Sequence, residues 1–263
     1  MSIQITTEQI KELRDATGIS VMQCKHALEE AEGDMKKALA ILKKTSSDIA
    51  LKKVNRAVSE GRVAIKVKNE DETNKAVLIS LLCETDFVAK NEDFVALLET
   101  LANKALEEGV EKIKMDAKDI INPIIQKTGE NIQLGDVYEV MGSVLGNYVH
   151  NNKTGVIVSL EGGNAELAKD VAMHITAMKP EYITEAEITD DAKKTMQEIF
   201  EKEVANVDKP AEIKKKMLDG KMATYFKEKT LVNQIFIKDG EITVGKLLEN
   251  NHAKIKEVKV CSI

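Results

Sequence analysis

Tryptophan is absent from this chain, and its 263 residues include only five phenylalanines and four tyrosines. Arginine is nearly as scarce: of 38 lysines and arginines, only Arg14, Arg56 and Arg62 are arginine. The formal net charge is −6. That balance argues against a primary role in holding nucleic acid, which uses basic faces and arginine forks on phosphates and base edges. Lysine runs such as Lys214-Lys215-Lys216 read as solvated helix face. Cys24, Cys83 and Cys261 lie far apart with no C-x-x-C pair, so they suggest neither a disulfide framework nor a zinc site. His26, His150, His174 and His252 are scattered as well, and no metal ligand set is visible. No cofactor is expected. No apolar run approaches the roughly 18 residues of a membrane span. The opening MSIQITTEQIKEL lacks a secretory or transit pattern and reads straight into a helix. The expected location is the cytoplasm.

What remains is an ordinary balance, 43% hydrophobic and 31% charged, in a chain long enough for two or three packed units. Residues 1–45 read as three short helices. Thr6 or Thr7 caps the first and Thr17-Gly18 ends it. Ser20 with Gln23 has capping-box spacing at the second, Gly33 stops it, and Asp34 caps the third. The stretch KKTSSDIALKKVNRAVSEG reads as a charged link.

RVAIKVK alternates like a half-exposed strand, with Val63, Ile65 and Val67 on one face. The turn-rich NEDETN and the apolar strand AVLISLLC follow. The period then switches to helical, with Phe94, Leu97, Leu98 and Leu101 on one face. A similar order recurs in GSVLGNYVH, the turn NNKTG, VIVSLEG and a helix ended by Pro180. Residues 187–228 read as two amphipathic helices packed antiparallel. LVNQIFIK and IKEVKVCSI read as strands. The expected class is α+β: a helical module and linker over 1–55, one unit over 56–145, and a related unit over 146–263 interrupted by the helical hairpin.

GEITVGKLL, Gly240 to Leu248, nearly spells a phosphate-binding loop. A working one needs a hydroxyl after its lysine to hold magnesium, and Leu247 stands there. The bland reading, a turn and a short amphipathic helix, is adopted. G-x-S-x-G, H-E-x-x-H and G-x-G-x-x-G are also missing. No catalytic residue is assigned.

CETDFVAKNEDF is more informative. A rare aromatic, Phe87, follows Asp86 where a strand hands over to a helix. Two readings stand side by side. Phe87 folds inward as a hydrophobic staple for the next helix, or it is an anchor that enters a partner's pocket.

ETDFVAK also resembles the T-D-F-V signature of the bacterial elongation factor Ts family. IKELRDATGISVMQCKHALEEAEGDMKKAL is similar to that family's ubiquitin-associated-like helical module. GENIQL, GNYVHNNKTGVIVSLEG, AKDVAMHITAMKPEYI, MLDGKMATYFKE and TVGKLL are similar to further segments in the same order. The family's usual T-G-A-G-M-M-D-C is TGISVMQC here, and Gly135-Asp136 stand where arginines are common.

The resemblance implies a translation elongation factor that exchanges guanine nucleotide on the GTPase elongation factor Tu, with no catalytic chemistry of its own. Thr85, Asp86, Phe87 and Val88 would enter the partner near its magnesium and phosphates and dislodge Mg2+. Further contacts implied are Gly18, Ile19, Val21 and Met22 in the first module, and His150 at the hairpin tip. The GTPase is the implied partner, with a 2:2 assembly as one form and no direct nucleic acid or membrane contact. The helical hairpin is the family's coiled coil. The rival readings are a non-exchanging scaffold or chaperone-like binder, and a nucleotide-hydrolysing enzyme built on GEITVGKLL.

Overall fold

The computed structural model describes residues 5–69 and 73–263, so the turn expected over NEDETN lies partly outside the described residues. The chain divides into two compact units. One takes the chain up to Met141 with Val149–Gly155 and Lys259–Ile263; the other takes Gly142–Tyr148 and Val156–Val258.

The first unit opens with α1 (Thr7–Thr17), α2 (Val21–Glu30) and α3 (Met35–Lys53). Each begins at a side-chain oxygen that accepts from an otherwise unpaired amide: Thr6 in a capping box with Gln9, Ser20 from Gln23, and Asp34 from Lys36 and Lys37. Gly18 ends α1 at φ 68°, a left-handed backbone that a side chain would strain. Leu13, Ile19, Cys24, Leu28, Ala38 and Leu42 close the three-helix core.

α3 corrects one expectation. KKTSSDIALKK reads as a link because it is polar, yet the helix continues to Lys53. Thr45, Ser46 and Ser47 turn their hydroxyls onto carbonyls four residues back, so they do not compete with the helical ladder. Ser46, 1% exposed, also donates to Gln126, and Ile49 and Ala50 pack on the sheet's core.

In that sheet β1 (Glu60–Lys68) runs antiparallel to β2 (Asn74–Cys83), in register from Glu60 opposite Cys83 to Lys68 opposite Lys75. β3 (Ile132–Gly142) completes the order β1-β2-β3. Between β2 and β3 run α4 (Asp86–Ala89), α5 (Glu92–Glu108) and α6 (Val110–Thr128). Phe94, Leu97, Leu98 and Leu101 of α5 are buried with Val77, Ile79 and Leu81 of β2. Burying a side chain of that size contributes about 1.5–3 kcal/mol.

The second sheet has the order β4-β5-β6, with β4 (Val144–His150), β5 (Thr154–Glu161) and β6 (Lys254–Ser262). α7 (Ala165–Met178) buries Leu167, Ala168, Val171 and Ile175 with Val156, Val158 and Leu160. Gly146 is needed where β4 passes α7, because a Cβ there would meet the backbone of Ala168 and Lys169 at 2.1 Å. α8 (Asp190–Ala205) and α9 (Ala211–Lys229) pack together, with Phe200 edge-on to Tyr225 at 5.8 Å and Lys221 on Glu203 at 2.8 Å. Of their apolar residues, Val204 is buried while Ile199 and Ile213 stay exposed.

LVNQIFIK is not a strand. Leu231–Asn233 is a single 3-10 turn, and Ile235 makes only an isolated bridge to Thr243. The segment instead plugs the unit's core with Leu231 and Phe236 and satisfies a buried histidine. His174 donates from Nε2 to Gln234 Oε1 at 2.9 Å, and the Ile237 N–H donates to its Nδ1 at 3.2 Å. α10 (Val244–Asn250) follows as the short helix expected of VGKLLEN.

With one ring nitrogen accepting and the other donating, His174 is neutral, and burial pushes its pKa below the ordinary histidine value. The unfolded chain therefore binds this proton more readily than the native one. Native stability should fall as pH drops below about 6.5, by at most about 1.4 kcal/mol per pH unit from this group. Urea unfolding between pH 7 and 5 checks it, and His174→Gln should flatten the dependence. A wild-type stability that does not change with pH over that range would refute the buried neutral ring.

Candidate functional site

β2 ends at Cys83, and the chain must become helical within two residues. Thr85 makes this possible, its hydroxyl accepting from the Val88 N–H at 3.4 Å as the cap of α4. Glu130, in the turn after α6, holds the same residue from outside the helix. Its carboxylate accepts from the Thr85 N–H at 3.0 Å and from the Thr85 hydroxyl at 2.6 Å. The favour runs both ways: Glu84 accepts from the Asn131 N–H at 2.6 Å. Asn131, 2% exposed, turns its side-chain amide to the carbonyls of Arg56 and Val54. Arg56 in turn lies 3.5 Å from Glu84.

On this braced corner the four predicted tip residues divide. Thr85 is tied down as described, and Val88 packs on the core beside the buried Ala89. Phe87 points outward and is 82% exposed, more than any other large apolar residue described. The staple reading is therefore overturned; Phe94, fully buried, anchors α5 instead. The Asp86 carboxylate sits 2.7 Å from Lys90 Nζ, one helical turn on. That hydrogen bond holds its pKa below the usual carboxylate range. Beneath the corner Cys83 donates to the Thr85 carbonyl at 3.2 Å. Burial and then the Glu130 charge push its thiol up to about 12, so it stays protonated and unreactive.

The other predicted residues lie on the same unit. Gly18, Val21 and Met22 are exposed at the start of α2, but Ile19 is 3% exposed and belongs to the three-helix core. A direct contact at Ile19 is thus replaced by a packing role that seats the loop. A Cβ on Gly18 would lie 3.2 Å from Lys127 Nζ, which pairs with Asp93 in the first turn of α5 at 2.6 Å. His150 is exposed at the turn Asn151-Asn152, both left-handed at φ 50° and 57°. Lys153 after that turn pairs with Glu60, which stands opposite Cys83 in the sheet. The hairpin turn therefore reaches β1 beside the corner through an ion pair, while the α1–α2 loop lies against the Lys127 side chain.

Sequence reasoning missed Glu130, Asn131, Lys127 and Asp93. Glu130 acts 45 residues away from Thr85, and nothing in its local pattern marks the pairing. The phosphate-loop lookalike is the capped start of α10. Thr243 takes the Lys246 amide at 3.2 Å, and Lys246 Nζ lies 3.2 Å from Glu249. Among the described residues, no group of three or more His, Cys, Asp or Glu is placed to hold a metal ion. Among them too, no helix is long and apolar enough to cross a membrane.

Set against known proteins, the chain falls among the translation elongation factors. A family model described as "Elongation factor TS" matches residues 84–263. The elongation factor Ts of Hahella chejuensis is 38% identical over 256 residues, covering 95% of this chain and 89% of that protein. That of Thioalkalivibrio sulfidiphilus is 39% identical over 264 residues, covering 96% and 89%. That of Pseudomonas fluorescens is 38% identical over 261 residues, covering 96% and 88%. The chain belongs to the elongation factor Ts family.

All three cysteines are buried. The native protein should therefore show no fast-reacting thiol toward an aromatic disulfide reagent at pH 8, and three after unfolding. A native thiol that reacts at the rate of free cysteine would contradict the burial of the three.

Proposed function

We propose that this chain binds elongation factor Tu carrying GDP and speeds release of the nucleotide, so that GTP can take its place. The observation that carries the reading is the outward Phe87 on a corner held from both sides. Phe87 enters between helices of the GTPase as an apolar wedge, and Asp86 meets polar or basic groups beside the partner's Mg2+. Dislodging the ion removes charge neutralisation from the bound diphosphate, which then leaves faster. Thr85 and Val88 set the tip; Asp86 and Phe87 meet the partner.

Gly18, Val21 and Met22 make a second contact, from a ubiquitin-associated-like module of three helices, and His150 a third. The α8–α9 pair is read as the coiled-coil hairpin of the family. No acid, nucleophile or cofactor is required, because exchange is negative linkage: whatever ratio weakens GDP weakens the factor equally. Such a protein works in the cytoplasm.

Timing release of labelled GDP from the GTPase tests this. Phe87→Ala should slow stimulated release by an order of magnitude or more, the share of an anchor worth ~2 kcal/mol. Gel filtration separates the scaffold alternative. A scaffold stays bound whether or not GDP is added, whereas an exchange factor is displaced by excess nucleotide. Unchanged stimulation by folded Phe87→Ala would end the wedge reading.

A further inference from the structure

We infer that Glu130 is a positioning residue for nucleotide release, acting on the partner only through Thr85. The inference rests on the reading of Phe87 as the residue that enters the GTPase.

α4 has four residues, a single turn far below the length at which a helix holds itself together. Its cap bond, Thr85 hydroxyl to Val88 N–H, is 3.4 Å long. The Asp86–Lys90 pair is exposed, and such pairs contribute little. Glu130 supplies the shortest hydrogen bond on the tip, 2.6 Å from the Thr85 hydroxyl, and a second of 3.0 Å from the Thr85 N–H, and both are charge-assisted. Glu130 itself is held in place by its neighbour: Asn131 is buried and fastened to Glu84, Arg56 and Val54. Two adjacent pairs, Glu84-Thr85 and Glu130-Asn131, thus each give a carboxylate to the other's backbone amide.

Without the Glu130 carboxylate, the tip keeps its inner anchor at Val88 and Ala89 and loses its outer one. α4 can then pivot about its buried side. Phe87 still reaches the GTPase, but in a spread of directions. Small misplacements of a positioned group carry large rate losses even where binding survives. The loss should therefore fall on the maximal stimulated rate rather than on the concentration of factor required.

The test uses the full-length protein with its GTPase. Glu130→Ala should lower the maximal rate of GDP release about tenfold, equivalent to about 1.4 kcal/mol, and change the half-saturating concentration by less than about threefold. Glu130→Gln keeps one carbonyl acceptor and should fall between Glu130→Ala and wild type. Amide hydrogen exchange supplies a readout that a general loss of stability would not produce. The Thr85 and Val88 amides should exchange faster in Glu130→Ala, while those of Leu97, Leu98 and Leu101 in α5 stay protected.

Unchanged exchange at Thr85 overturns the inference, as does faster exchange there with a wild-type maximal rate. A loss of protection throughout α5 assigns Glu130 to general stability and overturns it too. Phe87→Ala, run in parallel, separates the layers. If it releases GDP at the wild-type rate, the reading of the tip fails and takes the role of Glu130 with it. If it slows release and both Glu130 variants do not, only the role of Glu130 fails.

Discussion

The exchange of carboxylates between Glu84-Thr85 and Glu130-Asn131 is the interaction on which the candidate site depends. Where a strand hands over to a helix, or a helix to a strand, within a few residues, backbone amides fall outside both ladders and must find other acceptors. The Thr85 and Asn131 amides are two such groups, and each is met by a carboxylate from the other segment. The segments lie 45 residues apart along the chain, so a local shortage of acceptors is solved by a long-range tie. With Thr85 fixed and Val88 and Ala89 packed inward, α4 has one orientation left. That orientation puts residue 87 on the outside.

Legibility followed the range of the interaction that decided each feature. Ser20 and Asp34 were readable as caps, and the first cap was readable to within Thr6 or Thr7, because a cap and the amide it satisfies are two or three residues apart. The apolar β2 and the stripe Phe94, Leu97, Leu98, Leu101 were readable because their period repeats within one element. The second half of α3 was not: its hydroxyls look like a linker until Gln126 is seen to receive Ser46. LVNQIFIK looked like a strand because half of it is β-branched or aromatic. Its true organiser is His174, about sixty positions earlier.

The direction of Phe87 shows the same limit more sharply. A staple and an anchor leave the same local pattern, an aromatic beside an acid at a helix start. What separates them is whether the inward place is already filled. Phe94 fills it, and Glu130 pins the residue two before Phe87. Neither fact is visible in CETDFVAKNEDF. Resemblance to a family supplied the four tip residues as a set, but not their division of labour, and it counted the buried Ile19 among the contacts.

An almost fully exposed phenylalanine is a liability in isolation, since apolar surface invites self-association. The surroundings limit that risk without removing the anchor. Asp86 and Lys90 pair on one side, and Lys127 pairs with Asp93 at the start of the next helix. A partner with a matching cleft can still bury the whole side chain, and charged neighbours that shut out water at the rim raise the worth of an anchor at the centre. A larger apolar tip would bind more surfaces and discriminate less. One aromatic, rigidly aimed, favours a partner whose pocket lies where the ring already points, and that rigidity is what the partly buried carboxylate exchange beneath it supplies.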